Sequence, residues 1–224
     1  MLSARRINCV LDVGANRGQF GLLARRLGYS GRIVSVEPGS EAFGMLRAVR
    51  GNDMAWETVR LALGSKPGLA KLHVARSDDL SSLRPLASGA EDFFPETCQI
   101  IRTEDVVVPT LDSCFDQFVR DLPQPRVFLK IDTQGYDLEV LKGARQVLPR
   151  VEALQVEVSF SPLYEGVPPW YETISWCEAH GFGLYGLFPL LRDPRGQLVE
   201  ADALLVRIGE EGSEASPPSA AGGA

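Results

Sequence analysis

The 224-residue chain is poor in the residues that most often advertise chemistry, with four cysteines, two histidines, three methionines and three tryptophans. Cys9, Cys98, Cys114 and Cys177 stand far apart and form no C-x-x-C pair. That spacing argues against structural zinc and a disulfide framework, and it suits a reducing cytoplasm. Basic blocks are absent, and 29 acidic against 23 basic residues leave a net charge of −6. Neither nucleic acid nor an anionic membrane is therefore an expected partner. No apolar run approaches the ~18–20 residues that span a bilayer, and the first residues lack an apolar signal-peptide core. The signature G-x-x-x-x-G-K-[ST] is also missing, which excludes a P-loop site of that form.

What is present is an ordinary globular composition, 45% hydrophobic and 23% charged. The length fits one domain with a substantial core. Strand and helix signals alternate along it. Segments 7–13, 32–37, 58–63, 126–132 and 151–158 read as strands, and 19–27, 40–50, 111–119, 138–148 and 170–180 as helices. In the first helix Phe20, Leu23 and Leu27 fall at helical spacing, with Gly28 at its end. In the second, Ser40 suits an N-cap, and Phe43, Leu46 and Val49 share a face. Segment 65–108 is looser: a turn at Pro67-Gly68, a returning strand at 69–75 and an irregular excursion over 77–103. Segments 182–188 and 201–208, joined by R-D-P-R-G-Q, read as an antiparallel hairpin. The pattern predicts one α/β domain over 1–208, with 209–224 as a disordered tail.

The most specific stretch is V-L-D-V-G-A-N-R-G-Q-F at 10–20. A buried strand carries Asp12 near its carboxyl end, and Gly14 to Gly18 turn the chain into a helix whose N–H groups face a ligand. The two glycines are four apart rather than spaced as G-x-G-x-x-G. Together with Asp12, this points away from a dinucleotide pyrophosphate and towards a cationic ligand such as S-adenosylmethionine. Glu37 follows Gly18 by 37 − 18 = 19 positions, close to the ~20-residue spacing at which a second-strand acid takes a ribose diol. In open α/β sheets ligands sit beyond the carboxyl ends of the strands. Those ends carry Asp12, Glu37, Asp132 and Glu157. The expected architecture is a Rossmann-like class I methyltransferase fold: a seven-stranded, mostly parallel sheet, a C-terminal antiparallel hairpin and helices on both faces.

Six blocks run in order through 7–208: L-D-V-G-A-N-R-G-Q-F (11–20), V-S-V-E-P (34–38), A-L-G (62–64), S-S-L (81–83), T-L-D (110–112) and L-K-I-D-T-Q-G-Y-D-L-E-V-L-K-G-A (129–144). In these blocks the chain resembles the FkbM family of S-adenosylmethionine-dependent methyltransferases, and the last block is the discriminating one. The resemblance implies that Gly14, Ala15, Asn16, Gly18, Gln19 and Phe20 wrap the methionine part, with Asp12 near its ammonium. It implies Glu37 on the ribose diol, Pro38 at the adenine edge, Ala62 and Leu63 flanking the adenine, and Asp132 beside the sulfonium. The family's D-x-E-G-x-E appears here as Asp132, Gln134 and Asp137, one charge fewer.

The implied reaction is O-methylation of a small molecule or sugar, in secondary-metabolite or glycan tailoring. Asp132 is the first candidate for the base that takes the acceptor's proton, followed by Glu157 and His73. His180, next to Gly181, reads as a helix cap. Ser81 and Ser82, and the aromatic segment 159–171 with Phe160, Tyr164 and Trp170, suit an acceptor wall. A divalent metal on Asp132 and Glu157 is conceivable, but no compact ligand cluster indicates one. A homo-oligomer is compatible with the pattern. The rival reading is a catalytically silent cofactor-binding module, with Gln134 as its mark.

Overall fold

The computed structural model describes residues 1–209; the expected tail at 209–224 otherwise lies outside the described residues. The chain builds strands β1 (Cys9–Val13), β2 (Arg32–Val36), β3 (Trp56–Val59), β4 (Gly68–Ala75), β5 (Ile100–Val108), β6 (Val127–Ile131), β7 (Val151–Ser159), β8 (Phe182–Arg192) and β9 (Leu198–Arg207). Its helices are α1 (Gln19–Arg26), α2 (Ser40–Arg50), α3 (Leu111–Phe118), α4 (Asp137–Lys142) and α5 (Trp170–Glu178). Seven strands form one sheet in the order β3-β2-β1-β6-β7-β9-β8. The pairs β3–β2, β2–β1, β1–β6 and β6–β7 are parallel, whereas β9 runs antiparallel to both β7 and β8. The expected sheet and closing hairpin are therefore present.

β1 and β6 are buried along their whole length, as continuous apolar runs at the centre of a parallel sheet must be. Leu111, Phe115, Val140, Leu141, Ile174 and Cys177 pack on one face of the sheet. Ala24 and Leu46 pack on the other, with Ile33, Phe128 and Trp56. Helices α3, α4 and α5 thus cover one side, and α1 and α2 the opposite one.

Four details depart from the sequence pattern. In α1 the buried residues are Gly21 and Ala24, while Leu23 and Leu27 are exposed. The helix lies so close to Trp56 that a Cβ at Gly21 would stand 2.2 Å from its ring; close approach, not the Phe20–Leu23–Leu27 stripe, sets the buried face. Ser40 does not cap α2. Its N–H (3.0 Å) and hydroxyl (2.7 Å) both donate to the Glu104 carboxylate, and Gly39 holds the N-cap position. α4 stops at Lys142, well short of residue 148, with Gly143 at its C-cap, where a Cβ would meet the Gly64 carbonyl oxygen at 2.0 Å. Finally, 65–108 is not irregular throughout. β4 and β5 pair antiparallel from Gly68↔Val108 to Ala75↔Ile100. The inner face of this ribbon, Leu72, Val74, Val106 and Val108, packs on Ala62.

Candidate active site

A cavity of about 470 Å³ opens beyond the carboxyl ends of β1, β2 and β6, within the usual size range for a small-molecule site. One wall is the β1–α1 turn. Gly14 (φ +76) and Asn16 (φ +48) bend it through left-handed conformations. The N–H groups of Gly14 (2.9 Å) and Ala15 (3.0 Å) fasten it to the Val36 carbonyl. The Glu37 carboxylate accepts from the Asn16 N–H (2.9 Å) and the Gly39 N–H (2.7 Å). Gly18 (φ +88) sits at the N-cap of α1, where no side chain caps the helix. Gln19 and Phe20 of the first turn line the cavity, so this turn offers amide donors to an anionic group. Pro38, Leu61, Ala62, Leu63 and Leu72 make an apolar slot.

The opposite end is polar. A hydrogen-bonded chain crosses the sheet beneath it. Trp56 Nε1 donates to Ser35 Oγ (3.0 Å), and Ser35 Oγ donates to Asp12 Oδ2 (3.1 Å). Asp12 is register partner to both Ser35 and Lys130. Lys130 Nζ lies 3.4 Å from Asp12 Oδ1, 3.2 Å from Asp132 Oδ2 and 5.5 Å from the Phe20 ring centroid. Past β6, Gln134 (φ +54) and Gly135 (φ +82) turn the chain back. Gln134 Nε2 then donates to Asp132 Oδ1 (3.0 Å) and Glu157 Oε2 (3.3 Å). Asp202 of β9 completes this end and accepts from Gln155 Nε2 at 2.8 Å.

Burial governs the ionisation of these groups. It pushes the Asp12 carboxyl up, against the pull of Lys130 and Ser35. Glu37 is pushed up to about 7 by burial, opposed by its two backbone donors. Burial and then the charge of Asp132 raise Glu157 and Glu200. Burial alone would discharge Lys130, but Asp132 and Asp12 outweigh it and hold the ammonium protonated above its ordinary range.

The cavity gathers Gly14, Ala15, Asn16, Gln19, Phe20, Glu37, Pro38, Ala62, Leu63, Ser81, Ser82 and Asp132. Seven other residues singled out from the sequence do not reach its wall. Asp12 is fully buried below the floor, where the cation beside it is Lys130 rather than a ligand. Gly18 packs on Leu46 and Trp56. Glu157 is sealed behind Gln134. His73 sits in β4, its backbone bridged to Ser82. Phe160 and Trp170 stack on each other at 5.2 Å. Tyr164 is buried, with its hydroxyl 2.8 Å from Gln134 Oε1 and 3.1 Å from the Leu80 carbonyl. Sequence reasoning passed over Lys130, Gln155, Asp202 and Tyr136, which line the cavity. Lys130 stood inside the discriminating K-I-D block, so a signal for it existed. Among the described residues no group of three His, Cys, Asp or Glu side chains is arranged to hold a metal ion, and no helix is long and apolar enough to cross a membrane. The G-F-G-L-Y-G at 181–186 lies at the start of edge strand β8, not in a strand-to-helix turn.

Strand order, closing hairpin and a cavity at the first strand–helix turn define a class I α/β methyltransferase. Within that class, the family model "Methyltransferase FkbM domain" matches residues 12–184. The chain belongs to the FkbM family and is an S-adenosylmethionine-dependent methyltransferase. No curated protein matches it. Among solved structures it is similar to a precorrin-6y C5,15-methyltransferase from Geobacter metallireducens, at 14% identity and TM-score 0.45, over 92% of this chain and 84% of that one. It is also similar to a putative RNA methyltransferase from Pyrococcus horikoshii, at 12% identity and TM-score 0.46, over 90% and 76%. A third is the Aeropyrum pernix fibrillarin in complex with S-adenosyl-L-methionine, at 12% identity and TM-score 0.46, over 89% and 66%. The family assignment rests on the match over 12–184 and not on these likenesses.

Proposed function

We propose that the enzyme methylates a hydroxyl of a small molecule or sugar in the cytoplasm, with Asp132 as the group that accepts the hydroxyl proton. The cavity's donor set fits S-adenosylmethionine. The first turn of α1 suits its carboxylate, Glu37 its ribose diol, the slot of Pro38, Ala62 and Leu63 its adenine, and the acidic end its cationic centre. Bound there, the cofactor supplies an electrophilic methyl group. That methyl group would pass to the acceptor oxygen with the carbon–sulfur electron pair left on sulfur, and Asp132 would take the hydroxyl proton.

One observation carries the choice of Asp132. Its side chain is 35% exposed at the cavity wall, whereas that of Asp12 is 0% exposed. Asp132 is also gripped from behind by Lys130 and Gln134, which fix its direction. Gln134 thereby acts as an orienting donor, which weakens the silent-module reading.

The test is a panel of hydroxylated small molecules and sugars with S-adenosylmethionine, following S-adenosylhomocysteine release and locating the new methyl group by NMR. An O-methyl product is expected. Asp132→Asn should keep S-adenosylhomocysteine affinity within about threefold while turnover falls about 10²–10⁴-fold. A methyl group found on nitrogen or carbon refutes the O-transfer, and full turnover by Asp132→Asn refutes the role of Asp132.

A further inference from the structure

Lys130 is a cation built into a cavity that receives a cation. Its ammonium lies between Asp12 Oδ1 (3.4 Å) and Asp132 Oδ2 (3.2 Å), over the Phe20 ring, with only 10% of the side chain exposed. The parallel pairing of β1 and β6 sets Asp12 opposite Lys130, so the sheet register itself fixes this contact. Both carboxylates therefore meet a lysine before they meet any ligand.

We propose that Lys130 is a specificity-determining counter-cation: by neutralising Asp12 and Asp132 from inside the fold, it limits the cavity's preference for S-adenosylmethionine over S-adenosylhomocysteine. The proposal rests on the cavity being the cofactor site. The two ligands share adenosine, carboxylate and ammonium and differ in the sulfonium charge. Methyl transfer removes that charge as the carbon–sulfur bond breaks. Two uncompensated carboxylates would hold the charged ground state more tightly than the transition state in which the charge is fading, and so slow the step. One fixed ammonium cancels one of those two negative charges.

Calorimetric titration of the full chain with S-adenosylmethionine and with S-adenosylhomocysteine, at low salt, tests this through the ratio of the two affinities. A unit charge removed at an effective dielectric near 20, across a cavity on the order of 10 Å, is worth about tenfold. Lys130→Met should raise the preference for S-adenosylmethionine by less than that factor, because burial drives Asp12 towards its neutral form once its cation is gone; the full factor is expected when the lysine is removed from Asp12→Asn. Asp12→Asn should lower it by a similar factor, and the double variant should return to within about threefold of the parent. Comparing the double variant with Asp12→Asn reads the same lysine in a background with no orphaned buried acid, should Lys130→Met alone fail to fold. An unchanged ratio in both backgrounds overturns the proposal. So does an equal loss for both ligands, which would mean that Lys130 grips the carboxylate they share. Failure of the parent protein to bind S-adenosylhomocysteine is a separate result and refutes the cofactor site itself.

Discussion

Glu37 links the stability of the fold to the state of the site. It is 8% exposed, and burial pushes its carboxyl up to about 7 from 4.5 despite hydrogen bonds from Asn16 and Gly39. The unfolded chain releases this proton near 4.5, so between about pH 4.5 and 7 the folded state holds a proton that the unfolded state has lost. Stability contributed by this group is then full below 4.5 and is lost as pH rises through 7. The rise from 4.5 to about 7 bounds the loss at about 3 kcal/mol. Burial and the Asp132 charge raise Glu157 and Glu200 with the same sign. Groups held low, such as Asp53 beside Arg25, act only at more acid pH. Urea unfolding of the ligand-free protein from pH 5 to 8 should therefore show stability falling as pH rises. Glu37→Gln isolates the one group. It loses one of two accepted N–H bonds, a cost of about 1–2 kcal/mol, but it no longer ionises. Its deficit relative to the parent should be largest at pH 5, and a relative change of about 2–3 kcal/mol by pH 8 should leave the variant at least as stable as the parent. Parallel profiles for parent and variant would refute the reasoning. The same titration should raise affinity for S-adenosylhomocysteine through pH 7, because the ionised carboxylate is the better acceptor for a ribose diol.

Gly14→Ala should cost about 3 kcal/mol and abolish S-adenosylhomocysteine binding. Its φ is +76, and a Cβ there would stand 1.8 Å from the backbone oxygen of Asp132, so relief requires moving the end of β6. A thermal shift under about 3 °C would contradict the close approach. Arg84→Ala should loosen the 78–83 wall of the cavity. Arg84 bonds the carbonyls of Gly135 (2.8 Å) and Glu165 (3.0 Å) and lies 5.4 Å over the Tyr136 ring. We expect about 2 kcal/mol of lost stability and faster amide exchange confined to 78–84; unchanged protection there counts against Arg84 as the tie that holds this wall.

The centre of the sheet was legible because β1, β2 and β6 are buried on both faces and read as nearly continuous apolar runs. β5 was not. Its sequence I-I-R-T-E-D-V-V-V has charges in the middle, and only Val106 and Val108 are buried, since it belongs to a two-stranded ribbon with one face in water. The aromatic segment after β7 was misjudged for the opposite reason. Its rings look like a ligand wall, but Phe160 and Trp170 satisfy each other by stacking and Tyr164 is consumed in holding Gln134. Asp202 was invisible because the antiparallel insertion of β9 beside β7 aligns it with Glu157, and no local pattern encodes a pairing across more than forty residues.

The carboxylate near the end of β1 changes meaning once the register is known. Read along the chain, Asp12 precedes a glycine turn and looks like a holder of the ligand's ammonium. Read across the sheet, it is one link in a row of Ser35, Asp12, Lys130 and Gln155. A fully buried carboxylate needs a cation or donors at close range, since leaving it unpaired costs several kcal/mol. Ser35 meets that need at Oδ2, while Oδ1 has the Lys130 ammonium at 3.4 Å and no hydrogen bond. Asp12 can therefore act on the ligand only through Lys130, which also reaches the half-open Asp132. The arrangement divides the work between two acids that look alike in sequence. The sealed one anchors the lysine, and the open one lines the cavity. Exchanging their environments, rather than their identities, would be needed to exchange their roles.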